Sequence, residues 1–364
     1  MKFSIMRSKF IEGLKSVQNV VGTKGTLPIL QNVLMEVENG VLRMTTTDLD
    51  ISITSETECD EDQPGKSTLP VKILFNSISR ADEGVIEIDV NEEEKARIKA
   101  GSANFRLTGM SEVEFPRFPI DQDAYKYVIP QTVLKEMLRK TSYAASQDDT
   151  RRTLKGVLMS FKEGKLTMVA TDGRRLALVE NELEFPKDAE KDIVLPSKAV
   201  QEIQRSLGGE GDVSIMVQKT QICFNLGNVT IYSKLMDEPY PNYRQVIPQD
   251  CELEVIVDRQ LMINALERAS VMSMDETHST KLKFENGKLT VSAAASDIGE
   301  AKDEVPIKYS GEELEIMFNP AYIMEPLKAI DDDEVTIKLR NGQSPAVIKC
   351  SVPFLYVIMP LRVN

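Results

Sequence analysis

Few residues in this chain could carry covalent chemistry. There is one histidine, His278, among 364 residues. A lone imidazole excludes schemes that need a histidine base with a second histidine, or several histidine ligands on one metal, and an isolated one is ordinarily a surface residue. The four cysteines, Cys59, Cys223, Cys251 and Cys350, lie far apart and form no C-x-x-C. That argues against a zinc site and a disulfide framework, and fits a reducing cytoplasm. The acidic run "DDD" at 331–333 falls between an expected helix and an expected strand. It reads as a solvated cap and not as a metal-holding pair. The segment "ATDGRRLALVE" sets a glycine beside two arginines, as a phosphate cradle would. It has one glycine and no Lys-Ser/Thr ending, so it is not a P-loop. Neither a metal nor a cofactor is expected, and catalysis is not the leading expectation.

What remains is basic side chains set on helical spacing. In "PQTVLKEMLRKTSYAA", Val133, Leu134, Met137 and Leu138 share one face, while Lys135 and Arg139 lie opposite with Lys140 beside them. Lys72 and Arg80 share a face of another expected helix, and Lys198 and Arg205 share one of a third. Two loops add more: "GTKGTLPIL" with Lys24, and "SQDDTRRTLKG" with Gln147, Arg151 and Arg152. The net charge of −13 opposes a polyanionic partner. Yet the helical segments are net positive or neutral, so the acidity is carried elsewhere and one basic surface is still possible. No apolar run approaches the ~20 residues that span a bilayer. "MKFSIMRSKF" lacks the apolar core and cleavage site of a signal peptide. No membrane association is expected.

The elements that position these residues repeat. "FSIMRSKFIEGLKSVQNVV" with "LPILQNVLMEVENGVLRMTTTD" aligns with "YVIPQTVLKEMLRKTSYAA" and "LKGVLMSFKEGKLTMVATD", and again with "EVIVDRQLMINALERASVM" and "STKLKFENGKLTVSAAASD". Each reads as strand, amphipathic helix, loop, strand, turn, strand, and the units end at Asp48, Asp172 and Asp297, roughly 125 residues apart. A second helix follows each, announced by Pro70, Pro196 and Pro320. Proline suits a helix start because its missing N–H has no helical partner there. The fold expected is α+β: three repeated domains, 1–122, 123–249 and 250–364, each with two helices packed on antiparallel sheets. Such a domain is about 30 Å across. Three in a closed triangle leave almost no hole, whereas six in a hexagon leave one as wide as a body. A duplex on the order of 20 Å across would pass through that hole.

"TLPIL" near the start, "TDGRRLAL" in the second repeat, "YPNYRQVIP" after it and "YVIMPLR" at 356–362 follow in the order of the bacterial sliding clamps. Over its whole length the chain resembles that family, the beta subunit of DNA polymerase III. The resemblance implies a non-catalytic processivity factor and a head-to-tail homodimer forming a closed six-domain ring. The ring would encircle duplex DNA with weak direct affinity, be opened by a clamp loader, and tether the polymerase alpha-type subunit and other proteins carrying clamp-binding peptides. Carried over, the peptide groove comprises Leu154, Thr171, Gly173, Arg174, Arg175, Leu176, Pro241, Val246, Asn319, Tyr322, Val357, Met359, Pro360, Leu361 and Arg362, with alternate residues of "YVIMPL" facing the core. The DNA-facing set is Lys24, Lys72, Arg80, Lys135, Arg139, Gln147, Arg151, Arg152, Lys198 and Arg205. The dimer contact would join Phe105 to Val271 and Met272, with Glu300, Asp303 and Glu304 adding charge pairs across it. Arg174 and Gln245 depart from the family's usual His and Arg. Pro326 is expected to kink or end the last helix. The rival readings are a phosphate-binding enzyme and a repeat-built scaffold.

Overall fold

The structure, a computed structural model, describes residues 1–22, 27–118, 124–272, 279–295 and 299–361. Lys24, His278, Asp297, Arg362 and the expected boundary at 122/123 lie outside the described residues. Helices form where the apolar spacing puts them: α1 (Arg7–Val17), α2 (Val71–Ser79), α3 (Gln131–Thr141), α4 (Ser197–Ser206), α5 (Arg259–Ser270) and α6 (Pro320–Ala329). The α1 face that spacing makes apolar is buried through Phe10, Leu14 and Val17, and α2 buries Val71, Leu74 and Ile78. The Gly-containing turns close two-residue hairpins. Asn39 and Gly40 both take positive φ, as do Glu163 and Gly164, which lets the turn twist match that of its strands.

The chain divides into two compact units, residues 1–134 with 201–235 and residues 135–200 with 236–364. Their bounds cut across the repeats because the sheets do. In the first unit, Val229–Lys234 pairs with Ile51–Glu58, Ile231 opposite Ile53, so eight strands join edge to edge. A separate five-stranded sheet ends on the edge strand Ala103–Thr108. In the second unit, Arg175–Glu182 pairs with Phe354–Ile358 and twelve strands run as one sheet. Among the described residues, no helix is long and apolar enough to cross a membrane.

Gly109 shows how tightly the first unit is closed. Its N–H donates to the Glu94 carbonyl at 2.7 Å, and a Cβ there would lie 2.1 Å from the Thr68 carbonyl oxygen. Backbone cannot swing aside as a side chain can. Gly109→Ala should therefore destabilise the first unit by about 1–3 kcal/mol, seen as an earlier thermal transition. Unchanged melting would contradict this packing.

Candidate functional site

The segment after residue 353 is built into the fold by backbone pairing. Phe354–Ile358 lies between Ala346–Lys349 and Arg175–Glu182, with Arg175 opposite Ile358 and Leu176 opposite Val357. Beyond the strand, the Met359 N–H donates to the Arg174 carbonyl at 2.9 Å and the Leu361 N–H to the Met317 carbonyl at 2.8 Å. Pro360 stands between them, where no donor is needed. Burial sorts the candidate groove residues. Leu176 and Val357 are buried in one apolar cluster with Leu158, Val169, Val194, Tyr243 and Val347. Met359 is 44% exposed and Val246 54%. Gly173, Arg174 and Pro241 are exposed, and Leu154, Thr171, Asn319, Tyr322, Pro360 and Leu361 are half-buried.

The turn at 171–175 is held by one carboxylate. Asp172 accepts the N–H groups of Arg174 and Arg175 at 2.8 and 3.1 Å, and Nε of Arg175 at 3.1 Å. Gly173 takes φ +85, a backbone conformation that favours glycine. Arg175 is 8% exposed. Its Nη2 donates to the Tyr143 carbonyl at 2.7 Å, its Nη1 pairs with Glu325, and its guanidinium lies 4.2 Å from the centre of the Tyr322 ring. A guanidinium engaged this way positions an aromatic ring and is not free to serve as one of the two arginines of a phosphate cradle. Burial drives the phenol of Tyr143 well above its ordinary range, so it stays neutral. A pocket of about 370 Å³ opens here, lined by Gln147, Arg151, Asp172, Arg174, Arg175 and Tyr322 among others.

Tyr322 is placed by a helix that contains a proline. Asn319 caps α6, its side chain accepting the Ala321 N–H at 2.9 Å, and Pro320 takes the first turn. Pro326 does not end the helix, which runs on to Ala329. Its cost is the N–H that would reach back to the Tyr322 carbonyl. The hydroxyl of Tyr356, a side chain with no exposed surface, donates to that carbonyl at 2.6 Å. The C-terminal strand thus supplies the donor that the proline removes. Asp172, Tyr143, Glu325 and Tyr356 were absent from the candidate groove set. Asp172 had a local signal, since Asp two residues before the turn's end marks an Asx turn, but the others come together only through the fold.

The candidate DNA-facing cations differ in availability. Among the described residues, the side chains of Arg80 and Arg152 have no hydrogen-bond or ion-pair partner. Lys72 reaches the Gly22 carbonyl at 3.4 Å. Lys135, Lys198 and Gln147 are exposed. Arg151 donates to the Asp172 carbonyl at 2.6 Å, and Arg205 pairs with the nearly buried Glu202. Arg139 is bound to Asp331, and to Glu136 at 2.6 Å. That guanidinium also holds the Asp331 carboxyl below its usual range. Phe105 lies half-buried on the edge strand Ala103–Thr108, Val271 is 57% exposed just after α5, and Met272 is half-buried beside it. Asp303 and Glu304 already pair within the chain, with Arg268, and with Lys288 and Lys302.

Repeats whose sheets join edge to edge, with a helix pair in each, define the class of clamp proteins, and comparison with known proteins agrees. The N-terminal, central and C-terminal domains of the DNA polymerase III beta subunit match residues 1–119, 128–242 and 244–362. The beta sliding clamp of Chlamydia muridarum is 34% identical over 364 residues, covering all of both chains. A crystal structure of the Pseudomonas aeruginosa clamp bound to griselimycin superposes with a TM-score of 0.96 at 32% identity, and that of the Bacillus subtilis clamp with 0.96 at 28%, each covering both chains fully. The chain belongs to the DNA polymerase III beta subunit family: it is a DNA sliding clamp, a processivity factor and not an enzyme.

The Tyr356 hydroxyl should be worth about 1–3 kcal/mol, the cost of stranding a buried carbonyl. Tyr356→Phe should lower the melting temperature accordingly. In a Pro326→Ala background, where the helix supplies its own N–H, the same change should cost less. Equal losses in both backgrounds would show that the hydroxyl does not replace the missing helical donor.

Proposed function

We propose that two copies of this chain associate head to tail into a closed six-domain ring around duplex DNA, with Phe105 of one copy meeting Val271 and Met272 of the other. The domains are 1–122, 123–249 and 250–364. An apolar groove beside Arg174, Tyr322 and Met359 takes short peptides of the polymerase alpha-type subunit and of other replication and repair proteins, and a clamp loader opens the ring in the cytoplasm. The observation that carries the groove is the seating of 359–361: two backbone bonds hold this stretch against the rest of the second unit while the Met359 side chain stays exposed. A flexible thioether in that position suits partners of different shape. The griselimycin-bound relative supports the existence of a ligand site in this fold.

The groove is tested by removing residues 359–364. Two buried apolar anchors contribute roughly 3–6 kcal/mol. With a few hydrogen bonds and the ordering cost, a partner peptide should bind near the micromolar range, about −8 kcal/mol. Titration calorimetry should lose that binding in the truncated chain while the dimer persists. Unchanged heats would sink the assignment.

Direct hold on DNA should be weak, because several of the candidate cations are already paired within the chain. Each neutralised phosphate adds about −0.9 to the slope of log K against log salt. Retention on closed circles should instead be topological. Rings loaded on nicked circular DNA should survive raised salt and leave only when the circle is cut. Escape before the cut as fast as after it would overturn the ring.

A further inference from the structure

The Arg139–Asp331 contact has the geometry of a phosphate site with a carboxylate in it. Nη1 of Arg139 lies 3.2 Å from one carboxylate oxygen of Asp331 and Nη2 binds the other, a fork-to-fork arrangement that two oxygens of a phosphodiester reproduce. Nε of Arg139 is buried without an acceptor, so the two Nη groups are the ones that face the carboxylate.

The carboxylate is presented on a pinned loop. Asp332 accepts the Ser351 N–H at 3.0 Å. From α5, the Arg259 N–H reaches the Asp333 carbonyl at 2.8 Å and its Nε the Asp332 carbonyl at 2.6 Å. Asp332 and Asp333 are thereby tied to the fold, and Asp331 is left 73% exposed with its carboxylate on Arg139. The other charges at this end of α3 are Glu136, which also holds Arg139 at 2.6 Å, and Lys140, 3.5 Å from Glu136. Arg139, Lys140 and Arg259 all act on the Asp331 carboxylate, so losing its charge leaves this end of α3 more positive.

We propose that Arg139 is a phosphodiester-binding position and that Asp331 is its internal competitor, holding the guanidinium off DNA. This rests on the reading of the α3 face as DNA-facing. In the parent chain the carboxylate keeps the guanidinium occupied, and the site is regained when the carboxylate loses its charge. A clamp that must move along its track gains from a cation kept neutral. It also reverses the reading of "DDD" as a mere cap: one of the three carboxylates sets the charge of a neighbouring helix.

The test measures binding of the full-length chain to linear duplex DNA across a salt series. Asp331→Asn should steepen the slope of log K against log salt by about 0.9, one phosphate more, so that affinity falls about 3.5-fold further than the parent's between about 50 and 200 mM. Asp331→Asn with Arg139→Gln should return to the parent slope. Arg139→Gln alone should leave it unchanged, because Arg139 is already neutralised. Parallel lines for Asp331→Asn and parent, a steep slope kept in the double variant, or a flatter slope for Arg139→Gln would each overturn the proposal. A parent chain whose DNA affinity ignores salt would instead defeat the DNA-facing reading, and this proposal with it.

Discussion

The pairing of Phe354–Ile358 with Arg175–Glu182 is the contact on which the second unit depends. Without it the twelve-stranded sheet falls into two shorter ones, and the cluster around Leu176 and Val357 loses its shared core. The same pairing sets the surface proposed as the groove. Register places Leu176 opposite Val357, the next step brings the Met359 N–H to the Arg174 carbonyl, and the chain then turns to meet Met317. Both faces of this strand pair are covered: Arg175, Leu176 and Ala177 are buried on one strand and Tyr356, Val357 and Ile358 on the other. Met359 lies past the strand's end at Ile358, where no strand partner covers it, and is exposed.

A second constraint is local. Pro326 takes a donor from α6, and the strand that closes the sheet returns one through Tyr356. Tyr322 is therefore tied on one side to the C-terminal strand and on the other to Arg175, whose charge is answered by Asp172 and Glu325. A buried guanidinium is tolerable only when paired and hydrogen-bonded. Here those partners also hold it in place, and with it the Tyr322 ring beside the proposed groove. Such preorganisation reduces the ordering cost of binding.

The distribution of charge resolves an apparent conflict between an acidic chain and a polyanionic track. Arg139, Arg151 and Arg205 each have an acid or a carbonyl of the chain itself, whereas the side chains of Arg80 and Arg152 have none among the described residues. A protein that holds DNA by enclosing it needs few phosphate contacts, and every strong one would resist movement along the axis.

Much of this was legible in the residues alone. The threefold order of strand, helix and hairpin, the helix positions and the turns at Asn39-Gly40 and Glu163-Gly164 follow from apolar period, proline placement and glycine, which act over a few neighbouring residues. The motifs "TDGRRLAL" and "YVIMPLR" pointed to the family. Three things were decided only by tertiary structure. Compact units cut across the repeats, because edge strands far apart in sequence join into one sheet. Pro326 lies inside α6, because a hydroxyl thirty residues downstream replaces its missing N–H. Arg139 faces Asp331, 192 positions away. Local sequence shows that a residue is charged or lacks a donor. Only the folded chain decides which distant atom answers it, because that depends on which surfaces must be buried together.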